Sequence, residues 1–556
     1  MTPVNRRYSF GYLGAAFDRR LQFGALIAAA VVLPAVLSAA GQTWTNSDAV
    51  NPLQWDTTST NWTGAAWTNG NTATFGSTGA GTITVASGVS TAGITVSSTG
   101  YIFQGATLTD TGGFSIKADT TFNNNVTFGG TGSVDAGMTL TMNGGATFSS
   151  GGVGANGTAT AATINFTGGA YTFSSGSGGW INGNSSTTLN INYSGSSTFS
   201  TSGGILGYAG NNNITYDSSG SSTIAGLSIA RNGNASLIQK QGTLTATSGI
   251  TVGYGSGSVT GTLDIKGGIF DAGTQTISVA GGATTTNNGM LTVEGGTLNV
   301  GTISLNSGTN AGTNGSSTLQ VTSGTVNVNT INQANSGIKS VTLSGGTIGT
   351  NTSTSSTWTP DITLGGNVTI RAATAAAASA NITLSGKLTG TGGFTKTGAG
   401  TLTLSNVAND FSGSITVSAG TLATSGSGTF GTGNIRVNAG GTLTLSNNAS
   451  ISDLASVVFD STLTTGAKIN LNLSGGTETI YSLSSISGTS IGPGTYTIAQ
   501  LNTAFGNLGV DTDVFAGNGS LTIIASAVPE PSTYAAMFGA LTLGGACLLR
   551  RRKVCI

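Results

Sequence analysis

The sequence predicts an all-β chain wound as a parallel β-solenoid, flanked by one apolar segment at each end. Three observations carry this reading. Short stretches rich in Thr, Val, Ile and Leu, such as LTL, ITV and LTV, alternate with period two and are punctuated by Gly and Asn. A Gly followed by Thr or Ile recurs every 20–28 residues through much of the chain. Between the two apolar ends, no stretch reads as a helix of ten or more residues.

From the N-terminus, Arg6, Arg7, Arg19 and Arg20 precede the run FGALIAAAVVLPAVLSAAG. A positive region, an apolar region and small residues in that order predict a secretory signal helix over residues 1–40, cleaved after Ala40. An uncleaved anchor is the alternative. Residues 41–80 are rich in tryptophan: Trp44, Trp55, Trp62 and Trp67 account for four of the six in the chain. A solenoid must cover its first coil, because an open end exposes apolar core and an unpaired strand edge. Bulky rings do that well. Exposed tryptophans also stack on sugars, so glycan contact at Trp55, Trp62 and Trp67 is the alternative to the cap.

Residues 81–475 hold the repeats. The pivotal glycines of LDIKGGIF, LTVEGGTL, LQVTSGTV and VTLSGGTI are Gly268, Gly296, Gly324 and Gly346, spaced by 28, 28 and 22, with Gly242 lying 26 residues upstream. Farther on, Gly400, Gly420 and Gly441 each precede Thr-Leu. Stacked coils explain this period: Leu, Val and Ile face inward, Thr, Ser and Asn face outward, and glycine turns the corners. A closing β-region occupies 476–527.

Residues 528–556 carry a different signal. Val528, Pro529, Glu530, Pro531 and Ser532 precede an uncharged stretch from 533 to 549, which is long enough for a transmembrane helix. Arg550, Arg551, Arg552 and Lys553 follow at once and place the far end in the cytoplasm.

Charge and composition exclude much chemistry. The balance of 18 basic against 18 acidic residues is an average over unlike pieces: without the two ends, 10 basic and 16 acidic residues remain over 41–527. That weakly acidic body offers no electrostatic footprint for nucleic acid. It has no His anywhere, which removes Ser-His and Cys-His nucleophiles and His-ligated zinc. Both cysteines, Cys547 and Cys555, lie in the tail, so disulfides do not hold the body together. An enzyme would need paired carboxylates. Asp264, Asp271 and Glu294 are the best placed, since Glu294 follows Asp264 by about one period. Asp511 and Asp513 are too few for a calcium site. No glycine loop ends in Gly-Lys-Ser/Thr, so none is a phosphate cradle. The residues therefore predict no catalytic group, cofactor or metal site.

Two stretches resemble known families. Residues 392–422, GGFTKTGAGTLTLSNVANDFSGSITVSAGTL, are similar to the autotransporter-associated β-strand repeat, with its core at Lys396 to Leu402. That resemblance implies a right-handed β-helix of the passenger type on an exported protein. The tail from Val528 onward resembles the PEP-CTERM sorting signal of Gram-negative bacteria. It implies an exosortase-type transpeptidase as partner, transient residence of the C-terminal helix in the inner membrane, and a final place at the cell surface or in the medium. Together the resemblances suggest a non-enzymatic structural or adhesive protein of an extracellular matrix, in contact with an exopolysaccharide or other matrix proteins. The alternative is a polysaccharide lyase or glycoside hydrolase on a β-helix.

Overall fold

A computed structural model describes residues 39–149, 152–157, 160–174, 181–183, 187–206, 210–255, 258–280, 287–306, 315–334, 337–460, 468–510 and 513–525. The expected signal segment, apart from its last residues, and the whole of the expected sorting tail lie outside these. So do the motif Val528 to Ser532 and the helix 533–549. Among the described residues no helix is long and apolar enough to cross a membrane.

The described chain is an all-β parallel solenoid with three faces. The first face runs from the strand Gly41–Thr43 to Phe515–Gly517, each strand pairing in parallel with its counterpart one coil away. The second runs in the same way from Ser90–Thr91 to Ser482–Ser485. The third contains 15 strands, from Gln54–Trp55 to Leu388–Gly390. The first two faces merge into one sheet because Thr297–Leu305 and Thr325–Gln333 continue unbroken from one face onto the other.

Period-two patterning produces this directly. Strand after strand alternates buried and half-buried residues, as in Thr82–Val85, Thr139–Met142 and Thr401–Leu404. The buried members stack: Leu263, Leu291, Leu319 and Val341 lie in register on consecutive coils. Each such side chain contributes roughly 1.5–3 kcal/mol by leaving water. The early coils use rings instead, with Phe128, Phe148 and Phe173 stacked at centroid distances of 5.3 and 4.6 Å.

The expected glycine column is present. Gly242, Gly268, Gly296, Gly324 and Gly346 all have positive φ, between 59° and 74°. Their carbonyls accept amides of the next coil: the Ile269 amide donates to Gly242, Thr297 to Gly268, Thr325 to Gly296 and Thr347 to Gly324, at 2.8–2.9 Å. The repeat of glycine and threonine is therefore one corner seen again and again. Farther along, Gly420 turns the corner at φ 63°, but Gly398 and Gly440 do so in place of Gly400 and Gly441.

One element departs from the expectation of no helix. Ile498–Asn507 is a ten-residue α-helix in the closing region. Thr497 and Gln500 form a reciprocal capping box at its start, while Leu501 and Phe505, four apart, bury one face. The helix covers the last rung of the first face. Its Asn502 amide donates to the carbonyl of Phe515 at 2.9 Å and accepts from the Phe515 amide at 3.0 Å. One side chain thus pairs both backbone groups that a following strand would have paired. Beside it, Ser520–Ile523 is the central strand of a three-stranded sheet, parallel to Thr477–Ile480 and antiparallel to Gly494–Thr497.

Candidate functional site

The tryptophan cluster closes the first coil. Trp44 and Trp55 are fully buried, and Trp62 and Trp67 are 2% exposed. Their rings pack at 4.4–5.3 Å, Trp44 standing edge-on to Trp62. The Trp44 indole donates to the Gly79 carbonyl and that of Trp67 to the Ser90 carbonyl. The chain around Trp62 folds back over the edge strand, the Thr63 amide donating to the Thr43 carbonyl at 2.9 Å. A sugar needs an open ring face on which to stack. Trp55, Trp62 and Trp67 present none, and this burial favours the cap over the glycan-contact reading of these residues.

Two of the three candidate carboxylates converge on one lysine, and the third lies apart. Asp264 and Glu294 do meet, but through Lys266, whose ammonium lies 3.0 Å from Asp264 and 2.6 Å from Glu294. Its hydrogen bonds to the Glu294 and Asp264 carboxylates hold the lysine above its ordinary range. Asp264 also accepts from the Thr292 hydroxyl at 2.7 Å. Asp271 sits on another face, in register with Thr245 and Asn299, and accepts the Gly273 amide. Asp513 pairs with Lys468 at 2.6 Å, and Asp511 lies outside the described residues. Among the described residues no group of His, Cys, Asp and Glu could hold a metal.

The strongest polar sites are buried ones that the residue pattern did not single out for a role. Lys396 is fully buried, and its ammonium donates to the carbonyls of Gly398, Gly400 and Ala419 at 2.6, 2.6 and 2.7 Å. Burial pushes its pKa down to about 8. Glu478, equally buried, accepts the amides of Ile451 and Ser450 at 2.7 and 3.2 Å. Burial lifts its carboxyl to about 7, opposed by those two amides and reinforced by Asp453. Asp110 accepts the amides of Gly112 and Gly113, and burial lifts it to about 6. All three satisfy backbone groups at turns. The signal for them is a lone charged residue between two threonines at an inward strand position, with a glycine two residues away.

The outward surface is a different kind of array. Thr109, Thr127, Thr147, Thr172, Ser200, Thr223 and Thr245 follow one another in register along the second face. Thr297, Thr325, Thr347, Thr369, Thr395 and Thr416 form another such column on the same face. Neighbouring hydroxyls in these columns repeat at the strand spacing of about 4.8 Å. Such columns offer hydroxyl donors and acceptors without charge.

No curated protein and no solved structure matches the chain. Residues 394–423, the coil built around Lys396, match the passenger-associated-transport-repeat family, whose repeats occur in exported autotransporter passenger proteins.

Proposed function

We propose that the chain is an exported structural or adhesive rod of the cell surface or extracellular matrix, released from the inner membrane by an exosortase-type transpeptidase acting at Val528 to Ser532. The single observation behind this reading is the passenger-type coil at 394–423 set within a long solenoid. Tryptophans pack over the first coil of that solenoid, a helix covers the last rung of its first face, and its faces carry columns of uncharged hydroxyls. Such a body suits contact with neutral exopolysaccharide or with neighbouring matrix proteins, and it needs no cofactor and no catalytic group. Fractionation of cells with and without the processing enzyme tests the reading. The protein is expected at the surface or in the medium only when the enzyme is present, and to lack Cys547 by mass spectrometry. Secreted protein that retains Cys547 overturns tail removal. Release of reducing sugar or unsaturated uronate from a polysaccharide panel, abolished by Glu294→Gln or Asp264→Asn, overturns the non-enzymatic reading.

A further inference from the structure

The ammonium of Lys396 sits in a shell of peptide oxygens. Among the described residues it forms no ion pair; its three hydrogen bonds go to the Gly398, Gly400 and Ala419 carbonyls. A primary ammonium has three N–H donors and no acceptor, so donors and acceptors match one to one. Converging carbonyl dipoles create negative potential at their focus, which favours a cation over a neutral donor. The walls are backbone and cannot yield easily. A Cβ on Gly420 would stand 2.6 Å from the ammonium nitrogen and 2.6 Å from the Gly400 carbonyl. One on Gly398 would stand 2.9 Å from the Ala372 carbonyl.

The shell also spans two coils. Gly398 and Gly400 belong to the turn that follows Lys396, whereas Ala419 immediately precedes the strand Gly420–Thr424 of the next coil. Corners elsewhere enclose neutral donors: the Gln239 amide reaches the Gly242 and Ile269 carbonyls, and the Tyr216 hydroxyl reaches Gly220. Three convergent carbonyls call for three donors, which a primary ammonium supplies from one atom, and a buried ammonium without such partners would be strongly unfavourable.

We propose that the corner formed by Gly398, Gly400 and Ala419 is a binding site for a primary ammonium ion, occupied by the chain's own Lys396, and that this cation fixes the register in which the next coil docks. The site goes beyond the surface role above and does not depend on it. If the oxygens form the site, cutting the side chain back leaves a cage that free ammonium or methylammonium fills.

Hydrogen exchange of the Thr421 to Thr424 amides in the full chain tests this. Lys396→Ala is expected to exchange faster than the parent. Ammonium and methylammonium chlorides should slow it again in a concentration-dependent way, while tetramethylammonium chloride at equal ionic strength should not. The parent should respond to none of the three. Equal effects of all three salts, or no recovery in ammonium, overturn the proposal. Lys396→Met keeps most of the apolar stem without the charge and guards against general unfolding of the alanine variant. Parent-like protection in the methionine variant also overturns the proposal; faster exchange, as in the alanine variant, supports it.

Discussion

Substituting alanine for Gly296, beside the same change at Gly273, separates the two demands that a corner places on glycine. Both residues have positive φ, 59° and 50°. Both alanines therefore carry the left-handed backbone cost of about 1–2 kcal/mol. Their surroundings differ. A Cβ at Gly273 meets nothing within 4 Å, whereas one at Gly296 would stand 2.6 Å from the Gly268 carbonyl oxygen and 2.6 Å from the Gly267 carbonyl carbon. Relief requires the two coils to part. That strains the bond from the Thr297 amide to the Gly268 carbonyl, now 2.8 Å long, a bond worth about 0.5–1.5 kcal/mol. It also loosens Leu298 against Phe270, its partner in register, for a further ~1 kcal/mol of lost packing. The expected excess of Gly296→Ala over Gly273→Ala is about 2 kcal/mol, or roughly thirty-fold in local opening. A long repeat array unfolds piecewise, so a global melting temperature would dilute the effect. Native-state hydrogen exchange of the Thr297 and Leu298 amides reads it directly. Equal acceleration in the two variants would refute the idea that close coil contact, rather than backbone conformation alone, demands glycine in this column.

Other consequences can be measured in the same way. Trp62→Ala should cost about 3–5 kcal/mol of first-coil stability, read by exchange of the Thr43 and Trp44 amides, with retention on neutral polysaccharide unchanged; lost retention at full stability would restore the glycan reading. Glu478 has a folded-state pKa of about 7 against an ordinary 4.5. Its contribution is therefore fully present below pH 4.5 and falls by about 3 kcal/mol as pH rises to 7 and above; protection of the Ile451 amide should drop across that range, and Glu478→Gln should flatten the profile. Asn502→Leu removes both partners of Phe515 and should cost about 1–3 kcal/mol at the last rung; light scattering should show concentration-dependent association through the uncovered edge, and a monodisperse variant would count against the capping role.

What the sequence made legible follows from period and stacking. The 28-residue spacing of Gly268, Gly296 and Gly324 reappears as the register of Leu263, Leu291 and Leu319, because each residue repeats against its own equivalent. The Trp cap was readable as one of two alternatives, since a solenoid end and a sugar both need flat apolar rings; only burial separates them. The helix Ile498–Asn507 escaped because its signal is short. Thr497 and Gln500 stand three apart as a capping box requires, yet they lie among residues whose local preference is for strand. The link between Asp264 and Glu294 through Lys266 was half visible: the period brings the acids to one corner, but no spacing argument says that a lysine stands between them. Lys396 lay within the recognised repeat, and its inward position gave no hint of three carbonyl partners.

That last case bears on how a chain with so little charge holds its corners. Strands in a parallel ladder pair their peptide groups with the coils on either side, and turns interrupt the ladder. Glycine lets successive turns approach closely, yet it supplies no side-chain donor or acceptor for peptide groups left unpaired there. The buried polar residues stand at those gaps. Gln239, Tyr216 and Lys396 donate to corner carbonyls, whereas Asp110 and Glu478 accept from turn amides. Sign follows need: donors and a cation where oxygens converge, carboxylates where amides do. Surface ion pairs contribute little by comparison, since exposed pairs such as Lys240 with Asp217 are worth at most about 1 kcal/mol. The few ionisable groups that matter for the fold are therefore the buried ones, and in the repeat at 394–423 the glycines and the lysine solve one problem together: the glycines bring the oxygens close, and the ammonium supplies the donors that pair them.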